Sequence, residues 1–205
     1  MILKIKKGKA SGTMIAPPSK SMAHRYLICG GLCEGTSIIS GIDKSEDVLA
    51  TIDCLQAIGA KIRWQGSDVH ITGANPICTD AAKALNCRES GSTQRFFVPL
   101  CLVNDGEAVM TGEEGLFKRP LGVYEKICAE QGITFRQSEN SLYLNGKLTA
   151  GEYKVKGNIS SQFISGLLFA LPLLQEDSKI SILPPIESRP YINLTSARLK
   201  NSACR

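Results

Sequence analysis

Gly59-Ala60-Lys61-Ile62-Arg63-Trp64-Gln65-Gly66-Ser67-Asp68-Val69-His70-Ile71-Thr72-Gly73 is the stretch that decides the fold. Residues 61–64 and 68–72 alternate around Gly66, which predicts a β-hairpin closed at Gly73. Upstream, residues 47–58 carry apolar side chains at helical spacing, and Gly59 stops that helix. Before it, residues 36–40 read as a short strand. Residues 21–32 read as a helix ending at Gly30-Gly31 or Gly35. The same order then returns: helix over 92–103, strand over 107–111, helix over 120–131 stopped by Gly132, and a hairpin from 134–136 and 141–144 closing at Gly146. Gly132 follows Gly59 by 73 residues (132 − 59), and Gly146 follows Gly73 by 73 (146 − 73). A third copy starts with a strand at 153–156, continues through a helix over 161–174 and a strand at 179–182, and begins a second helix near Pro190-Tyr191. Self-similarity at a long fixed period indicates like units packed on each other. The fold class is therefore α/β (α+β), built from repeated units.

Each unit's first helix is entered from a loop of small polar residues: Ser19-Lys20-Ser21, Ser90-Gly91-Ser92-Thr93 and Ser160-Ser161-Gln162. A helix start has unpaired N–H groups and the positive end of the dipole, so it favours an anion. Lys20 and Arg25 add full charge, and Ser19 and Ser21 add neutral donors. Taken alone, each loop reads equally well as an N-cap beside solvated cations. If the units pack about a common axis, the three starts converge on one face, with Lys20, Arg25 and Arg95 around one anionic ligand. Truncating Lys20 or Arg25 should then spare folding, because like charges repel.

Composition narrows the classes. The 205 residues are 43% hydrophobic and 21% charged, enough for a substantial core. The net charge of +5 comes from scattered cations without a basic tract, which argues against nucleic acid. The longest apolar stretch, residues 163–174, is too short to span a membrane. The start Met1-Ile2-Leu3-Lys4-Ile5-Lys6 is too charged for a signal peptide. Eight cysteines without a C-x-x-C pair, several inside apolar helical runs, predict reduced thiols in a cytoplasm. With only His24 and His70, and no ligand spacing, a zinc site is not expected.

The residues resemble the N-terminal half of the 5-enolpyruvylshikimate-3-phosphate synthase family. The stretches that carry the resemblance are Pro18-Ser19-Lys20-Ser21 with Arg25, Ser90-Gly91-Ser92-Thr93 with Arg95, Leu116 with Arg119-Pro120, Gly157 with Ser160-Ser161-Gln162-Phe163, and Ser188 with Pro190-Tyr191. It covers residues 1 to about 195. It implies an enolpyruvyl transferase-like fold, an inside-out α/β barrel of β-α-β-α-β-β units, of which this chain holds one domain. Residues 16–205 are expected to form that domain, with the third repeat incomplete. Residues 1–15 are expected to hold a strand belonging to the other domain, unpartnered here.

The implied activity is that of a 3-phosphoshikimate 1-carboxyvinyltransferase: the enolpyruvyl group of phosphoenolpyruvate moves to the 5-hydroxyl of shikimate-3-phosphate and phosphate leaves. The pathway is aromatic amino-acid biosynthesis, with no cofactor, in a cytoplasmic monomer. By the resemblance, Lys20, Ser21, Arg25, Ser160, Ser161, Gln162 and Ser188 bind shikimate-3-phosphate. Lys20, Gly91, Arg119 and Gln162 meet phosphoenolpyruvate, and Arg95 lies near the site. The family's general base lies in the second half, so no catalytic base is expected in this chain, and turnover by it alone is not expected.

The stretch from Ser196 to Arg205 keeps little apolar periodicity and reads as a truncated end. A non-catalytic binding module on the same units is the alternative. UDP-N-acetylglucosamine enolpyruvyl transferase is disfavoured, because residues 112–119 hold no cysteine.

Overall fold

The computed structural model describes residues 2–4, 6–9, 11–74 and 83–201. The period seen in the sequence is the period of the fold. In the first repeat α1 (Lys20–Leu32), β1 (Thr36–Ile39), α2 (Glu46–Ala57), β2 (Lys61–Gln65) and β3 (Asp68–Thr72) follow one another. The second runs β4 (Lys83–Asn86), α3 (Gly91–Cys101), β5 (Glu107–Thr111), α4 (Glu114–Phe117), α5 (Gly122–Glu130), β6 (Thr134–Gln137) and β7 (Ser141–Asn145). The third holds β8 (Glu152–Lys156), α6 (Ser161–Ala170) with a 3-10 turn after it, β9 (Lys179–Leu183) and α7 (Arg189–Asn201).

Each repeat makes its own sheet, with orders β1-β3-β2, β4-β5-β7-β6 and β8-β9. β4 pairs parallel with β5, and β8 parallel with β9, while the hairpins add antiparallel strands. Thr36 faces Thr72 in the first sheet as Glu107 faces Asn145 in the second. The glycines fix this repeat for a backbone reason. Gly59 and Gly132 follow α2 and α5 at φ +108° and +69°, where a side chain is strained, and the next amides return to Leu55 and Cys128.

The core lies between the helices. Around it α1 packs on α2 and α7, α2 on α3, α3 on α6, and α6 on α7. The first helices of the three repeats meet at Phe96. His24 of α1 stands edge-on to it at 6.2 Å, Phe169 of α6 at 5.5 Å, and the Arg25 guanidinium lies 5.5 Å from its centroid. Gly166 lets α6 approach α3, since a Cβ there would sit 2.5 Å from the Arg95 carbonyl and 2.3 Å from the Tyr124 hydroxyl.

Several readings are corrected. β4 and the short α4 have no counterpart in the sequence reading; inward-facing Lys83, which is buried, hides the alternation of β4. The helix expected over 161–174 ends at Ala170, and the one expected over 120–131 starts at Gly122. The stretch after Thr195 is regular helix as far as Asn201, because Ile192, Thr195 and Leu199 turn inward together, and a buried threonine masks that face in the sequence. Cys33 is disulfide-bonded, against the expectation of reduced thiols, whereas Cys54, Cys87, Cys101 and Cys128 are free. Near the N-terminus, residues 2–4, 6–9 and 11–18 carry no strand, and Ile2 and Ile15 are almost fully exposed.

Candidate functional site

Three helix starts come together on one face. Ser19 caps α1 by accepting from the Met22 amide, Ser90 caps α3 by accepting from the Thr93 amide, and Ser160 caps α6 by accepting from the Gln162 amide. Asp47, in the first turn of α2, joins the first two starts. Lys20 donates to its Oδ2 at 2.5 Å, and Ser90 hydrogen-bonds to the same carboxylate. Gln162 joins the other two, donating from Nε2 to Ser92 Oγ at 2.8 Å and accepting from Arg95 Nη1 at 2.6 Å. Arg119 lies over the α3 start: a Cβ on Gly91 would fall 2.5 Å from its Nη1.

The cations differ in their surroundings. The Lys20 side chain is half exposed and paired with Asp47. Arg25 is buried, at 2% exposure. It donates to Thr195 Oγ1 at 2.8 Å, the Ser21 carbonyl at 2.6 Å, Ser165 Oγ at 3.3 Å and the Tyr191 carbonyl at 3.2 Å. It thus ties α1 to α6 and α7, and the expectation that its removal spares folding is corrected. Burial lowers the pKa of Arg25, and burial with the nearby Arg119 charge lowers that of Arg95. Arg95 also donates to the Pro120 carbonyl and lies 5.1 Å from the Phe163 ring centroid. Among the described residues Arg25, Arg95 and Arg119 make no ion pair. Arg25 is buried, Arg95 half-buried and Arg119 exposed, and positive charge gathered without a counter-ion favours an anion.

Behind this face runs a chain of hydroxyls. Ser90 Oγ accepts from Thr93 Oγ1 at 2.8 Å, Thr93 meets Thr51 at 2.8 Å, and Thr51 meets His24 Nδ1 at 2.7 Å. His24 Nε2 is buried without a partner. Burial pushes the His24 pKa down to about 4, so the ring is neutral at pH 7. Burial works to raise the Asp47 pKa, but the hydrogen bonds from Lys20 and Ser90 outweigh it and hold it below the usual value.

Most of the residues singled out in the sequence gather here. Lys20, Arg25, Gly91, Arg95, Arg119, Ser160, Ser161 and Gln162 lie at the three starts or on the loop beside them, and Ser21 is reached through its carbonyl. Ser188 stands apart from these contacts, in a positive-φ turn at the start of α7, where its carbonyl accepts from Tyr191. Asp47, Ser165 and Thr195 were missed, and Ser92 and Thr93 were read only as part of the helix-entry loop. Asp47 carried a usable signal as an acid in a helix first turn, but Ser165 and Thr195 lie mid-helix and carried none. The surface clefts of 290 to 430 Å³ beside α5, β1, α6 and the hairpins are lined by none of the candidate ligands. No group of three His, Cys, Asp or Glu among the described residues could hold a metal. No helix of the described residues is long and apolar enough to cross a membrane.

Known proteins are similar to this chain. A protein from Clostridium perfringens (strain ATCC 13124) named 3-phosphoshikimate 1-carboxyvinyltransferase is 50% identical over 189 residues, covering 91% of this chain and 45% of that protein. One of the same name from Clostridium beijerinckii is 47% identical over 207 residues, covering 97% and 48%. Two solved structures of EPSP synthase from Acinetobacter baumannii superpose with a TM-score of 0.73, at 24% and 25% identity, each covering 89% of this chain and 42% of theirs. The chain spans about half the length of the curated relatives it matches. The family model for EPSP synthase (3-phosphoshikimate 1-carboxyvinyltransferase) matches residues 5–203, and the chain belongs to that family.

Proposed function

We propose that this chain supplies the shikimate-3-phosphate face of a 3-phosphoshikimate 1-carboxyvinyltransferase. The observation that carries the reading is the cluster of cations without counter-charge at three converging helix starts. Lys20, Ser21, Arg25, Ser160, Ser161, Gln162 and Ser188 bind shikimate-3-phosphate, and Lys20, Gly91, Arg119 and Gln162 meet phosphoenolpyruvate. Arg95 orients Gln162 rather than touching substrate. Arg25 is fixed by four hydrogen bonds before ligand arrives, so little order is lost on binding. Lys20 can leave Asp47 for a phosphate or carboxylate, or for charge that develops during transfer.

In the reaction the bond from phosphoenolpyruvate C2 to its phosphate oxygen breaks and a bond from C2 to the substrate 5-hydroxyl oxygen forms. The hydroxyl proton goes to a base outside this chain. No cofactor takes part, and the setting is cytoplasmic aromatic amino-acid biosynthesis. Residues 16–205 are the ligand-bearing domain, and residues 1–15 pair outside it.

The chain alone binds shikimate-3-phosphate weakly, binds phosphoenolpyruvate hardly at all, and does not turn over, since residues that act as a catalytic unit are strongly non-additive. Calorimetry with each substrate tests the asymmetry, and equal affinity for both overturns it. Phosphate release from the two substrates, above a protein-free control and abolished by Lys20→Met, overturns the inactivity.

A further inference from the structure

His24 is buried, at 1% exposure, and the proposed reaction gives it no role. It ends the chain of hydroxyls that runs from α1 through α2 and α3 to Asp47. Counting protons along that chain gives it a direction. An ionised carboxylate only accepts, and a hydroxyl has one proton to give. The hydrogen bonds from Lys20 and Ser90 keep Asp47 ionised at pH 7, so Ser90 spends its proton on Asp47. Ser90 Oγ then accepts from the Thr93 hydroxyl at 2.8 Å and from the Thr93 amide at 3.3 Å. With its own proton given to Ser90, Thr93 Oγ1 accepts from Thr51 at 2.8 Å. Thr51 in turn accepts, and the group facing it at 2.7 Å is His24 Nδ1, which must carry the ring proton. The Asp47 backbone carbonyl competes for the two threonine protons only at 3.2 and 3.5 Å. At the far end, Nε2 is left bare. It is buried without a partner among the described residues, on a ring that stands edge-on to Phe96. Burial above all, and then the charges of Lys20 and Arg25, oppose a second proton on that ring, while Asp47 favours one.

We propose that Thr51, Thr93 and His24 are positioning residues for Asp47, and through it for Lys20: they form a one-way hydrogen-bond chain in which the ionised Asp47 carboxylate fixes His24 as its Nδ1–H tautomer.

The chain does its work at Ser90, which is both the N-cap of α3 and a donor to Asp47. Because Thr93 donates to Ser90, the serine proton has one direction left, toward the carboxylate. Asp47 is thus held from behind by Ser90 and from the open side by Lys20. When Lys20 turns to an anion, Ser90 stays, and hydrogen bonds in a chain polarise one another, so the remaining donor is strengthened by the links behind it. A buried network with every hydroxyl partnered also fixes one placement of α1, α2 and α3 at the site. None of this depends on the proposed activity.

Long-range proton–nitrogen spectra of the nitrogen-15-labelled chain at pH 7 read the tautomer of each histidine ring, and His70→Gln assigns the two. The expected result for His24 is a protonated Nδ1 and a bare Nε2. A ring protonated at Nε2 overturns the proposal, and that measurement needs no change near the chain of hydroxyls. Asp47→Ala removes the terminal acceptor and is expected to shift the tautomer ratio about tenfold toward Nε2–H, which corresponds to about 1.4 kcal/mol. Thr93→Val removes one hydroxyl and keeps the branched shape, whereas Thr93→Ser keeps the hydroxyl. The response to Asp47→Ala should vanish in the Thr93→Val background and persist in the Thr93→Ser background. A response that survives Thr93→Val shows that the carboxylate charge reaches the ring through space. No response in the otherwise natural chain shows a ring insulated from Asp47. Either result overturns the proposal.

Discussion

Lys20 Nζ sits 2.5 Å from Asp47 Oδ2, so the first cation of the site is held by the first turn of the neighbouring helix. Half the lysine side chain is exposed, and such pairs contribute at most about 1 kcal/mol. Asp47→Asn is therefore expected to lower stability at pH 7 by no more than that in urea unfolding. A carboxyl held below its usual pKa adds stability that is present above its unfolded value, and that is lost as pH falls through the folded one. The Asp47 contribution should vanish only below about pH 4.

His24 titrates in a separate window. Its folded pKa of about 4 lies below the ordinary value near 6.5. Below pH 6.5 the unfolded chain takes up a proton that the buried ring refuses, so stability is complete above that pH and falls as pH drops toward 4. The loss by pH 4 is ~3 kcal/mol. His24→Gln should flatten the dependence of the urea midpoint between pH 6.5 and 4 while leaving the region below unchanged. An unaltered slope in that variant would show that another group drives it.

Arg25 and Lys20 separate structure from ligand binding. Arg25→Ala removes four hydrogen bonds that join three helices, and is expected to cost about 3 kcal/mol. Lys20→Met should cost less than about 0.5 kcal/mol. Both should weaken shikimate-3-phosphate at least tenfold by calorimetry, about 1.4 kcal/mol. Unchanged affinity in Lys20→Met would remove that residue from the site.

Two glycines make a matched pair. The Cβ of Gly91→Ala meets the tip of Arg119, a flexible side chain that can swing aside, so stability should change by less than about 0.5 kcal/mol while the Arg119 side-chain N–H resonances move. The Cβ of Gly166→Ala meets the Arg95 backbone carbonyl and the buried Tyr124 hydroxyl. That overpacking should cost about 1–3 kcal/mol and push α3 from α6. Equal costs in urea would contradict the geometry.

The repeat, the hairpins and the helix caps were legible in the sequence because their causes are local. A glycine at positive φ, an alternation of period two and a serine before an apolar run each act within a few residues. So were the cations and hydroxyls at the three helix starts. Local reasoning failed where an inward position held a polar residue: Lys83 hid β4, and Thr195 hid the inner face of α7.

Tertiary structure alone decided how those residues serve the site. Nothing near Lys20 in the chain announces Asp47, and nothing near Arg25 announces Ser165 and Thr195, 140 and 170 positions away. Whether an arginine is a solvated cap or a buried clamp depends on which helices surround it, and that follows from how three repeats close around Phe96. The sequence determined the units and their chemistry, while the packing of one unit on the next determined burial, and with it charge and stability.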